Sequence, residues 1–82
     1  MMVTSDKIHN NDVFERSIPL IHKCIRDKVS VTLLLSTLKL LERGYIKEIE
    51  DLDSFMQRRK EINPKYSNDI EKVKEMILQS YF

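Results

Sequence analysis

The residues able to ligate a soft metal are few: His9, His22 and Cys24, the last being the single cysteine of the chain. His22 and Cys24 are two positions apart, which sets them about 200° apart around a helix, so they cannot enter one ligand sphere while that helix is intact. The carboxylates Glu48, Glu50, Asp51 and Asp53 could in principle hold a hard cation, but they lack the glycine turn and alternating oxygen donors of a calcium loop. They suit the solvated first turn of a helix, where carboxylates complement the macrodipole. Ser17, Ser30, Ser36 and Ser54 have no base at a suggestive spacing, and no G-x-S-x-G elbow is present. With Gly44 the only glycine, no phosphate-cradling loop can be built. The sequence therefore predicts no catalytic residue, no metal site and no cofactor, and a non-enzymatic protein.

Whatever the function is, it must rest on the elements that carry these residues. The chain has 82 residues, 33% charged and 41% hydrophobic, with one Gly and two Pro. One glycine and two prolines are too few for the turns of a small sheet protein but ample for a few helices. A mobile arm is expected over residues 1–11, which offer little to bury, followed by a single helical domain over 12–82. A lone cysteine excludes an intramolecular disulfide framework. The first residues lack the apolar core of a signal peptide. The longest leucine run, Leu33–Leu35, is far short of the roughly 20 apolar residues of a spanning helix. These readings predict a cytoplasmic location without membrane insertion.

Four helical segments are expected, packed as a small antiparallel all-α bundle. The first begins at Asp12, with Glu15 completing a pair like a capping box, and buries Phe14, Ile18, Ile21 and Ile25. Pro19 removes one amide donor, so a kink or break is expected near Ser17. The second runs from Ser30 or Val31 to Arg43, with Gly44 ending it and Tyr45 giving the accompanying apolar contact. The third covers Ile46 to Ile62, burying Ile46, Ile49, Leu52, Phe55 or Met56, and Ile62; Asn63-Pro64 ends it. The fourth starts from a cap at Ser67 or Asn68 and buries Ile70, Val73, Ile77 and Tyr81, with Met76 alongside.

The second segment is apolar on two sides. Val31, Leu34, Leu35, Leu38 and Leu41 share one broad face, with Leu38 at its centre. Leu33 and Leu40 project nearly opposite. Leu33, Ser36, Thr37 and Leu40 thus make a charge-free patch on a chain one-third charged. Either the first or fourth segment covers it, or it is the surface that meets a partner protein. A helix-turn-helix across Gly44 is the competing idea. Its groove-facing end would carry Glu48, Glu50, Asp51 and Asp53 against phosphates, and the net charge is only +1, so no specific nucleic-acid binding is expected. The chain is expected to act as a monomer or homodimer that docks on another protein.

Over HNNDVFERSIPLIHKC and SVTLLLSTLKLLERGYIKEIEDLDSF, and in its length and Lys/Ile/Asn-rich style, the chain resembles the cytoplasmic antiholin of T-even phages, the lysis-inhibition accessory protein. The resemblance implies a non-enzymatic regulator that binds the cytoplasmic N-terminal part of a phage holin and delays lysis. It transfers no site residues. A bacteriocin immunity protein or small secretion chaperone, and thirdly a transcription regulator, remain alternatives on composition and pattern.

Overall fold

The computed structural model describes residues 10–82, with side chains from Val13 onward; the first nine residues of the expected arm lie outside the described residues. Four helices follow one another: α1 Asn10–Asp27, α2 Val31–Arg43, α3 Ile49–Ile62 and α4 Ser67–Tyr81, with one 3₁₀ turn, Pro64–Tyr66, before α4. No strand occurs among the described residues, and the architecture is an all-α bundle. Consecutive helices pair, α1 with α2 and α3 with α4, while α4 also packs on both α1 and α2. The hub of the bundle is therefore α4 rather than α2.

Local chemistry sets the ends of the elements. The α1 helix starts at Asn10, two residues before Asp12, and runs through Pro19 as one helix, so the expected break does not occur. It ends in a Schellman turn: Val29 N donates to Cys24 O at 2.8 Å, Lys28 N donates to Ile25 O at 3.3 Å, and Lys28 takes a left-handed φ of 59°. The α2 helix has Ser30 as N-cap, its hydroxyl accepting from Leu33 N at 3.2 Å. Gly44, at φ 83°, ends α2, with Tyr45 N donating to Leu40 O at 2.9 Å. Tyr45 stays exposed, and it is Ile46 that buries itself beyond the turn.

The α3 helix begins three residues later than expected, because Ile46–Glu48 form the approach to its cap. The Asp51 carboxylate accepts from Lys47 N at 2.9 Å and Glu48 N at 3.0 Å, and these two bonds hold its pKa below the ordinary value of 3.8. Asp53 pairs with Lys74 at 2.8 Å, and Lys60 pairs with Glu71, so two ion pairs link α3 to α4. Of the carboxylates weighed as cation ligands, Asp51 serves the cap and Asp53 a helix–helix contact. Asn63-Pro64 ends α3 where expected, and Pro64 then opens the 3₁₀ turn. At the start of α4, Ser67 is not the cap: its hydroxyl donates to Pro64 O at 2.7 Å within that turn.

The core is built from Val13, Leu20 and Cys24 of α1, Leu33, Leu34, Leu38 and Leu41 of α2, Leu52 and Met56 of α3, and the α4 stripe, joined by Val29 and Ile46 from the connections. The α4 residues Ile70, Val73, Met76, Ile77 and Tyr81 are buried as the sequence predicts. In α3 only Leu52 and Met56 are buried; Phe55 is half-buried, while Ile49 and Ile62 face solvent. In α1 and α2 the buried faces differ from those expected, and that difference decides where a partner can dock.

Candidate docking face

The four residues predicted to meet a partner do not form one free surface. Leu33 and Thr37 are buried, Thr37 completely, and Ser36 and Leu40 are half-buried. The Thr37 hydroxyl donates to Leu33 O at 2.8 Å, four residues back, which meets its hydrogen-bonding need inside the core. Leu33 lines a small pocket with Arg59, Asn63, Tyr66 and Ile70, and Leu40 lines a hollow with Phe55 and Arg58. Both hollows open between α2 and the side of the bundle formed by α3, the 3₁₀ turn and the first turn of α4. At 100° per residue, the inward face of α2 is turned by about 60° from the expected one, toward Leu33 and Thr37 and away from Leu35. Leu35 is 38% exposed, whereas Leu38 stays fully buried at the heart of the helix.

A comparable shift occurs in α1. The predicted stripe of Phe14, Ile18, Ile21 and Ile25 has the 4-3-4 spacing of a helix face. Val13, Ser17, Leu20 and Cys24 have the same spacing one residue earlier. The second set is buried. Of the first, only Ile21 packs against the core, and Phe14, Ile18 and Ile25 are 37%, 57% and 66% exposed. The physical reason is that Ser17 and Cys24 are apolar in effect here. The Ser17 hydroxyl donates to Phe14 O at 2.6 Å, and Cys24 packs its sulfur 3.7 Å from Met76 Sδ. Burial pushes the Cys24 thiol pKa up from its ordinary value, with Asp27 and Asp69 adding to the rise, so this thiol is a packing group and not a nucleophile.

The remaining side of α1 is tied down. Arg16 donates to Ser80 O at 3.0 Å and lies 5.7 Å from the Tyr81 ring, while the Tyr81 hydroxyl donates to Val13 O. These contacts turn the Arg16 side of α1 onto α4. The stripe of Phe14, Ile18 and Ile25 lies well around the helix from Arg16 and is left facing outward. Three large apolar side chains on one helix face, each more than a third exposed, form a contiguous patch rather than scattered surface residues. The signal for it in the sequence is the pair of adjacent 4-3-4 stripes, of which one short helix in a small bundle can bury only one.

No group of three His, Cys, Asp or Glu side chains is placed to share a metal ion among the described residues. No described helix is long and apolar enough to cross a membrane. Comparison with family models, with curated proteins and with solved structures gave no match.

Proposed function

We propose that this protein is a non-enzymatic regulator that docks on another protein through the outward face of α1. In the reading suggested by its resemblance, it is a cytoplasmic antiholin whose target is the cytoplasmic segment of a phage holin. The observation that supports docking is the exposure of Phe14, Ile18 and Ile25 on a helix whose core stripe is already buried and whose Arg16 side is tied to α4. Apolar anchors set beside charged neighbours, here Glu15 and Arg26, are the usual source of energy in a small interface, and an amphipathic helix is the natural complement.

The test is coexpression of the tagged protein with the N-terminal cytoplasmic segment of the holin, followed by affinity capture and by timing of lysis. The segment is expected to be retained and lysis delayed. Ile18→Asp together with Ile25→Asp should remove both effects while the helical circular dichroism spectrum stays unchanged, because a charge in a desolvated contact is costly but one on an exposed face is not. Failure of the wild-type protein to retain the segment would refute the antiholin reading. Retention unaffected by the double variant would refute this face as the docking surface.

A further inference from the structure

The outward face of α1 has a symmetry that identifies a second occupant. Its residues fall at 14, 18, 21 and 25, a 4-3-4 pattern that reads the same from either end of the helix. A two-fold axis crossing α1 between Ile18 and Ile21 would superpose Phe14 on Ile25 and Ile18 on Ile21 of another copy. That is the alternation of a short antiparallel coiled-coil seam. Each residue of the surface then meets its complement on the second molecule, as an isologous interface requires.

The charges bordering the stripe obey the same operation. Glu15 follows Phe14 in sequence, His22 follows Ile21, and Arg26 follows Ile25. Each is therefore one 100° step beyond a stripe residue, and all three lie along one edge of it. All three are exposed. Antiparallel superposition carries the acidic end, Glu15, onto the basic end, His22 and Arg26, of the second copy, twice over. The cation that would spoil this match, Arg16, is drawn away onto Ser80 and Tyr81 of α4. Arg26 has Asp27 beside it at 3.4 Å, an exposed pair too weak to hold it from a better partner. A parallel arrangement would instead put the two Glu15 side chains on opposite edges of the seam, away from the second copy's Arg26.

We propose that the protein forms a two-fold symmetric, antiparallel homodimer through α1, with Phe14, Ile18, Ile21 and Ile25 as the seam and Glu15–Arg26 pairs at both ends. The seam is the face proposed above for docking, so a partner that binds there competes with the second copy, and the dimer is tested on this chain alone. The seam runs over the eleven helical steps from Phe14 to Ile25, about 16 Å of helix, so the contact is smaller than that of a permanent dimer and exchanges readily.

The experiment is sedimentation equilibrium on the full chain alone, from about 10 μM to about 1 mM, where a small interface with a dissociation constant on the order of 100 μM would be half formed. The average mass is expected to rise toward that of a dimer. Ile18→Glu should keep the protein monomeric across that range. Glu15→Arg should weaken the dimer roughly 3- to 10-fold by placing like charges at both ends of the seam, and Glu15→Arg with Arg26→Glu should restore it. A wild-type protein still monomeric at the highest concentration would overturn the proposal. So would a dimer indifferent to Ile18→Glu, or a double charge reversal that fails to rescue. Glu15 and Arg26 are exposed, so the charge series decides the matter even if Ile18→Glu were to disturb folding.

Discussion

Ser17 and Thr37 show how a single side chain redirects a helix. Each is a polar residue inside the core, and each satisfies its hydroxyl on a carbonyl of its own helix, Phe14 O and Leu33 O respectively. Apolar spacing alone draws the faces of α1 and α2, and it leaves Ser17 and Thr37 outside the core. The competing fact is that a hydroxyl bonded three or four residues back carries no need for water, and so behaves as a small core residue. A second local device is equally specific. Gly44 and Lys28 occupy equivalent left-handed positions, at φ 83° and 59°, yet only one is glycine. A Cβ at Gly44 would meet nothing closer than Lys47 Cε at 3.6 Å, so the cost of adding one is conformational, not steric. Gly44→Ala is expected to destabilise the protein by about 1 kcal/mol, and Lys28→Gly to stabilise it by about 0.5–1 kcal/mol, since glycine removes the left-handed strain at some cost in chain entropy. Urea unfolding of the two variants checks both signs. A Lys28→Gly protein less stable than wild type would show that the lysine side chain contributes a contact outweighing its backbone strain.

At the scale of elements, the sequence locates the helices well and orients only one of the four correctly throughout. The ends of α2 and the end of α3 follow from Ser30, Gly44 and Asn63-Pro64, because capping and breaking depend on neighbouring residues alone. The α4 face is legible because that helix has one apolar side. In α1 and α2, two apolar stripes compete, and the choice between them depends on which neighbour arrives to cover each, a tertiary fact. The burial of Leu33 and Thr37 is such a fact, and it leaves only Ser36 and Leu40 of the patch that spacing suggests partly open. The outward α1 stripe is visible as a pattern, but spacing alone reads it as core. The rotation of α2 yields a direct test within one helix. Leu38→Ala deletes a fully buried side chain and should cost about 2–5 kcal/mol, a large part of the stability of a domain this size. Leu35→Ala, at a residue 38% exposed, should cost less than about 1 kcal/mol. Equal losses in denaturant unfolding would return Leu35 to the core and undo the rotation described here.

Across the whole molecule, two local helix pairs must be held together by contacts distant in sequence, and one group of these joins the two ends of the fold. The Tyr81 hydroxyl donates to Val13 O, 68 positions away, and Arg16 bonds Ser80 O and lies against the Tyr81 ring. This closure also sets the rotation of α1, and hence which stripe faces outward. Tyr81→Phe leaves the packing of the ring but strands the bond to Val13 O, so a loss of about 0.5–1.5 kcal/mol is expected. Amides in the first turns of α1 and the last turn of α4 should exchange faster, while the Asp53–Lys74 contact region of α3 and α4 remains protected. The hydroxyl also gives the stability a distinctive alkaline limit. Burial raises the Tyr81 pKa above its ordinary 10.0, against a smaller opposing pull from Arg16. A raised pKa in the folded state means that the unfolded chain loses this proton first. The stabilisation from the neutral hydroxyl is therefore complete below pH 10 and fades as pH climbs through the folded value. Wild-type stability should accordingly fall faster above pH 10 than that of Tyr81→Phe, and the gap between the two proteins should shrink there. Parallel curves across that range would mean that Tyr81 titrates freely, and that the ends of the bundle are not closed through its hydroxyl.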